Sequence, residues 1–220
     1  MNEELELRPL RARMSLRTDF IFYPVDGNDF AQIIKKRGYE LKEAPQTMGP
    51  FRVEFPGHLA EKDGNQVILD TNRQILAVDG QDPETIISIF SELEEIINEE
   101  MNIEYGDNIR FYETVVDYHV YTEKNPRTII EKASRHDETA EAFTDMLGKP
   151  VSLFTLRYAS KGTLPNSPEW IDVRLEPFVR RADKVYSFNL VHRSLNRDSV
   201  KDTLANVEIM IKKLVEKIQS

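Results

Sequence analysis

The chain has 220 residues, is 40% hydrophobic and carries a net charge of −9, with a pI near 5.1. That is enough apolar material to bury a core in one domain or two, and too much for a chain disordered throughout. The acidic balance argues against a surface that is positive everywhere, and so against nonspecific binding to phosphate backbones, while the lack of cysteine excludes disulfides, thiolate nucleophiles and sulfur-based zinc sites.

After a polar start, MNEELELRPLRARMSLR, the β-branched and aromatic run TDFIFYPV predicts a first strand over 18–25. GNDFAQIIKKRG predicts a short helix: Asn28 or Asp29 can cap it, Phe30, Ile33 and Ile34 form its apolar stripe, and Gly38 ends it. FRVEF (51–55), QVILD (66–70) and QILAVDG (74–80) predict three strands, separated by the turn-rich PGHLAEKDGN and by TNR. DPETIISIFSELEEIINEEM then predicts a long helix, with Asp82 at the N-cap, Pro83 at the first helical position, and Ile86, Ile89, Phe90, Leu93, Ile96, Ile97 and Met101 at helical spacing.

A linker at 102–108 leads to a long strand, IRFYETVVDYHVYT (109–122), and to a helix over NPRTIIEKASR, where Asn125 and Pro126 repeat the cap-then-proline signal. DETAEAFTDML predicts an extra helix that stops at Gly148, near 137–148. Strands follow at 151–158, 170–176 and 184–193, and a last helix runs from about Asp198 to Ile218 with Val200, Leu204, Val207, Ile211, Leu214 and Ile218 on one face.

The order is β-α-β-β-β-α, a linker, and β-α-β-β-β-α again. FYPVDGNDFAQIIKKRG and VYTEKNPRTIIEKASR share an aromatic strand end, a polar turn with Asn, and Ile-Ile followed by lysine. The fold expected is therefore α+β: an internally duplicated β-α-β-β-β-α unit, with halves at 1–104 and 105–220 that together form one domain. Its sheet is antiparallel and curved, with the two long helices on one face. This element order, over about residues 17–219, resembles the TATA-binding-protein-like architecture, in which a duplicated unit forms a saddle. The resemblance implies a concave sheet as the working surface, with apolar and basic residues and Phe pairs that wedge into a bent minor groove. No Phe pairs in this sequence match that pattern, so no site residue carries over.

Strand alternation sorts the faces. Tyr112, Val116, Tyr118 and Val120 should face the helices, with Phe154, Leu156, Tyr158, Ile171, Val173, Leu175, Tyr186, Phe188 and Leu190. The opposite face should then carry Glu113, Asp117, His119, Arg157, Trp170, Arg174 and Arg193, the candidate ligand-binding cluster. Guanidinium forks suit a carboxylate or phosphate, whereas opposite charges across strands also serve simply to keep an exposed sheet in register. His192 alternates onto the apolar side as a structural histidine, and Trp170, the only tryptophan, is either a stacking platform or the closure of a core end.

No phosphate loop, nucleophile elbow or zinc-protease motif occurs, so no cofactor and no metal is expected. Residues 79–107 hold ten Asp or Glu and no Lys or Arg, against ten Lys or Arg and six Asp or Glu in 174–217. That asymmetry can draw the two long helices together or support a homodimer. No run approaches the roughly 20 apolar residues of a membrane helix, and no signal peptide is apparent, so a soluble cytoplasmic protein is expected. The leading functional expectation is a non-catalytic binding protein whose open sheet face holds an unidentified protein or a small anionic ligand. A nucleic-acid-binding module, suggested by the saddle order and by Arg8, Arg11, Arg13 and Arg17, is the second. An enzyme with His119 as acid or base on a small anionic substrate is the third.

Overall fold

A computed structural model describes residues 5–19, 27–42, 46–47, 53–54, 56–70, 72–133 and 138–219. In chain order the elements are β1 (Glu6–Thr18), α1 (Gly27–Lys36), β2 (Glu40–Leu41), β3 (Gln46–Thr47), β4 (Val53–Glu54), β5 (Pro56–Lys62), β6 (Asn65–Asp70), β7 (Ile75–Gly80) and α2 (Pro83–Glu95). They continue with β8 (Ile109–Tyr121), α3 (Pro126–Ala133), α4 (Glu138–Leu147), β9 (Leu156–Ala159), β10 (Trp170–Pro177), β11 (Val185–Ser194), α5 (Arg197–Ala205) and α6 (Val207–Gln219).

Nine of these strands form one open antiparallel sheet in the order β2-β5-β6-β7-β1-β8-β11-β10-β9, and β3 pairs with β4 separately. The two longest strands, β1 and β8, lie side by side at its centre and run antiparallel from Glu6↔Tyr121 to Thr18↔Ile109. Among the described residues, no helix is long and apolar enough to cross a membrane.

The first strand lies earlier than its composition suggests. The stretch expected to be a polar start is β1, and the expected strand at 18–25 falls mostly outside the described residues, Thr18 being the end of β1. The reason is alternation rather than hydrophobicity: Ala12, Met14 and Leu16 are fully buried, while Arg11, Arg13, Ser15 and Arg17 take the other side. A register shift between Pro9 and Arg11 absorbs Leu10, so Arg8, across from His119, joins the face of Arg11, across from Asp117.

A second difference concerns PGHLAEK, read from its Pro and Gly as a turn. It forms β5, paired with β6 through a shift between His58 and Ala60. The expected strand at 51–55 is described only at 53–54, in the short β3–β4 pair.

The helices cover one side. Asp82 caps α2 by accepting from the Thr85 backbone N–H at 3.0 Å, and Pro83 follows it at the start of the helix. Its apolar stripe, Ile86, Ile89, Phe90 and Leu93, seals onto β1 and β7, and a π-turn at Ile96–Glu100 keeps Ile96 and Ile97 in the same core. The segment expected as a linker is packed down, with Ile103 and Tyr105 buried.

The last helix is two. Asn206 ends α5 before α6 resumes at Val207; α5 lies on β8 and β11 and against α2, while α6 meets α3. The α2–α5 contact holds an ion pair, Glu94 with Arg197 at 2.6 Å, in which the Glu94 carboxylate is almost fully buried.

The helix layer stops short of the β9 edge. α3 reaches β10, and α4 has no buried residue at all. Phe154 and Tyr158, expected to pack inward, are therefore exposed, as are Ile171 of β10 and Phe143, Met146 and Leu147 of α4.

Candidate functional site

On the side of the sheet away from the helices, the central strands β1, β8 and β11 set their odd-numbered residues in rows. Cross-strand neighbours put Arg11 beside Asp117 and Asn189, Arg13 beside Val115 and Val191, and Ser15 beside Glu113 and Arg193. Every residue of the expected cluster except Trp170 is at least partly exposed on this face.

The charges on it are mostly matched. Asp79 of β7 accepts from both Arg11 and Arg13, with closest contacts of 2.7 and 2.6 Å. Burial pushes the Asp79 carboxyl up, but hydrogen bonds from those two guanidiniums outweigh it and hold the group below the usual carboxylate range. Arg157 grips Asp172 through two bonds at 3.0 and 2.7 Å, and this contact lowers the Asp172 carboxyl as well.

Arg193 pairs with Glu113 through its Nε and donates from Nη1 to the Pro165 carbonyl at 2.6 Å. Asn189 donates to Asp117 at 2.9 Å. Among the described residues, Arg8, Arg17 and Arg174 are the face's arginines without a carboxylate partner; Arg174 stands between Asn189 and Arg157.

His119 lies against an aromatic side chain. Its ring packs against Phe178, centroids 4.3 Å apart, and burial, with Arg8 nearby, lowers its pKa. Neutral at ordinary pH, it has no acid or nucleophile of the cluster in hydrogen-bond contact. His192, on the helix side, bonds Thr203 Oγ1 through Nδ1 at 2.7 Å. No group of three or more His, Asp or Glu positioned for a metal occurs among the described residues.

Trp170 faces the same side as Arg193, its cross-strand partner, yet is only 8% exposed. That rules out an open stacking platform. The 160–169 segment returns over this end of the face: besides the Pro165 carbonyl on Arg193, Asn166 and Pro168 wall a depression of about 240 Å³ whose other sides are Asp19, Ile109, Arg110 and Phe111.

Phe111 is the residue that the sequence reading passed over. It is buried, and the guanidiniums of Arg17 and Arg193 lie 5.9 and 4.9 Å from its ring centre. Alternation from Glu113 through Phe111, and from Arg11 through Arg17, is the signal that locates both residues. A second depression, of about 220 Å³, lies on the β5–β7 side of the same face, with His58, Gln66, Ile68 and Ile75 in its lining.

No family model matches the chain, and no curated protein matches it in sequence.

Proposed function

We propose that the open face of the sheet is a protein-docking surface and that the chain is a binding protein rather than an enzyme. The observation that carries this is the mixed character of the face. Val115, Val191, Ile68 and Ile75 are half-buried between charges that largely neutralise one another. Apolar contacts interleaved with fixed, paired charges match the make-up of protein interfaces, in which buried area supplies affinity and charge sets register. A phosphate backbone would have to displace Asp79, Asp172 and Glu113 from the arginines they already occupy.

A second reading, nucleic-acid binding by a saddle of TATA-binding-protein-like form, draws support from the row of arginines that β1 presents: Arg8, Arg11, Arg13 and Arg17. Its test is a salt titration against single- and double-stranded DNA and RNA, and affinity that fails to drop as salt rises removes it. The architecture itself we read as a duplication, with residues 1–104 and 105–220 as copies within one domain. The strand orders β5-β6-β7-β1 and β9-β10-β11-β8, which mirror each other about the sheet centre, support that reading.

The docking reading is tested by affinity capture from native cell extract, using wild type, Val115→Glu on the open face and Lys213→Glu on the helix layer. A partner held by wild type and Lys213→Glu but lost from a folded Val115→Glu supports it. Equal capture by all three overturns it.

A further inference from the structure

Arg17 lies near the end of β1, across from Phe111 on one side and Ile75 on the other. Its Nε is shut off from solvent and makes no hydrogen bond, and its guanidinium rests 5.9 Å from the Phe111 ring centre. Arg193 approaches the same ring at 4.9 Å, but its donors are engaged by Glu113 and by the Pro165 carbonyl. The corner therefore contains one guanidinium paired with a carboxylate and one whose Nε has no acceptor. Arg17 as a whole is only partly buried, and an anion that reaches its outer amino groups would give this guanidinium the carboxylate that Arg193 already has.

Phe111 also lines the adjoining depression of about 240 Å³. Ile109, the Phe111 ring and Pro168 offer apolar walls, Asn166 offers an amide, and Arg110 and Asp19 neutralise each other at 2.9 Å. The space is below the roughly 300 Å³ at which pockets for drug-sized ligands begin. It suits one side chain, not a nucleotide. With Asp19 paired to Arg110 and Glu113 to Arg193, Arg17 leaves the corner one uncompensated positive charge, a match for a singly charged anion rather than a doubly charged phosphate.

We propose that this corner is a carboxylate subsite, which takes a carboxylate attached to an apolar, preferably aromatic, group: the anion on Arg17, the apolar body over Phe111 and against Pro168. The inference rests on the open face being the docking surface and names the chemistry of the group a partner presents there.

Trp170, the single tryptophan and the cross-strand neighbour of Arg193, supplies the reporter. Its one indole N–H resonance is followed in the ¹⁵N-labelled full chain while N-acetyl-phenylalanine, the corresponding amide, or inorganic phosphate is added. The acid should shift the resonance saturably, the amide should need about tenfold more, a difference of about 1.4 kcal/mol, and phosphate should leave it in place. Arg17→Gln should bring the acid down to the level of the amide, Arg17→Lys should keep part of the preference, and Lys213→Gln on the helix layer should change nothing.

No shift with the acid, equal response to acid and amide, an equal response to phosphate, or an unchanged preference in a folded Arg17→Gln overturns the subsite. If partner capture still depends on Val115 in that event, the docking face stands without it; if capture has failed as well, both fall.

Discussion

The two sides of one strand, β8, show how differently this sheet uses its faces. Tyr112, Val116, Tyr118 and Val120 are buried on the helix side, where α5 lies on β8, whereas Glu113, Val115, Asp117 and His119, one residue over in each case, are only half-covered. The first set fixes the fold through area removed from water. The second makes half-open polar contacts of small worth, an ion pair of Glu113 with Arg193 and a hydrogen bond to Asp117 from Asn189. Stability and recognition are thus assigned to opposite sides of the same backbone, and substitutions on the two sides should behave accordingly.

The largest effect is expected on the helix side. Phe90→Ala, which empties a fully buried ring site on α2, should lower unfolding free energy by about 3–5 kcal/mol in urea titrations. A loss comparable to that of an exposed residue would mean that α2 is not the lid of the core.

Arg197→Ala comes next, at about 2–3 kcal/mol, below the full cost of breaking a buried pair because Arg197 keeps some contact with water. The deficit should depend on pH. Burial raises the Glu94 pKa and Arg197 pulls it partly back. A carboxyl whose folded pKa lies above its ordinary 4.5 stabilises the fold fully below that value, and this contribution is lost as pH rises through the folded pKa. Without Arg197 the loss is greater, so the deficit should be small near pH 4 and grow toward neutrality. A deficit constant with pH would contradict this account of the α2–α5 contact.

The two histidines sharpen the comparison further. Burial lowers the pKa of both His192 and His119 from the ordinary 6.5. Each therefore contributes stability above that value that is lost as pH falls through its folded pKa. His192, in the helix-side core, should account for more of the drop in melting temperature below neutrality than His119. His192→Asn should flatten that drop more than His119→Asn does, and the reverse order would place the dry side of the sheet wrongly.

The smallest effect belongs to the open face. Arg157→Ala, which removes an exposed guanidinium from Asp172, should leave the urea midpoint close to that of the wild type.

How much of this was legible in the sequence differs by element. The α2 helix was legible throughout, because Asp82, Pro83 and the Ile-Phe-Leu stripe state its start, direction and buried face together. The faces of β8 and β11 followed from strict alternation. β1 escaped because its apolar side is short, Ala12, Met14 and Leu16, and its other side is arginine; hydrophobicity averages over both and sees a polar segment. Leu10, absorbed in the register shift, also hides that Arg8 is in phase with Arg11.

The candidate cluster could be listed from alternation but not paired, since whether Arg193 meets Glu113 depends on register between strands 80 residues apart. Nor could Trp170 be read as buried, because its cover comes from tertiary packing at the end of the face, where residues 160–169 fold back. The exposed apolar residues of α4 and the β9 edge have the opposite history. At the β9 edge strand alternation predicts burial of Phe154, Tyr158 and Ile171, and the helix layer does not extend that far.

These exposed residues offer the rival to the central claim, because Met146 is 78% exposed and Ile171 44%. The most direct measurement is methyl NMR of the Ile-, Val- and Met-labelled chain with and without its captured partner. The docking account predicts shifts at Ile68, Ile75, Val115 and Val191, with Val116 and Val120 on the helix side of β8 unmoved. Shifts confined to Met146 and Ile171, with the open-face methyls unchanged, would contradict it.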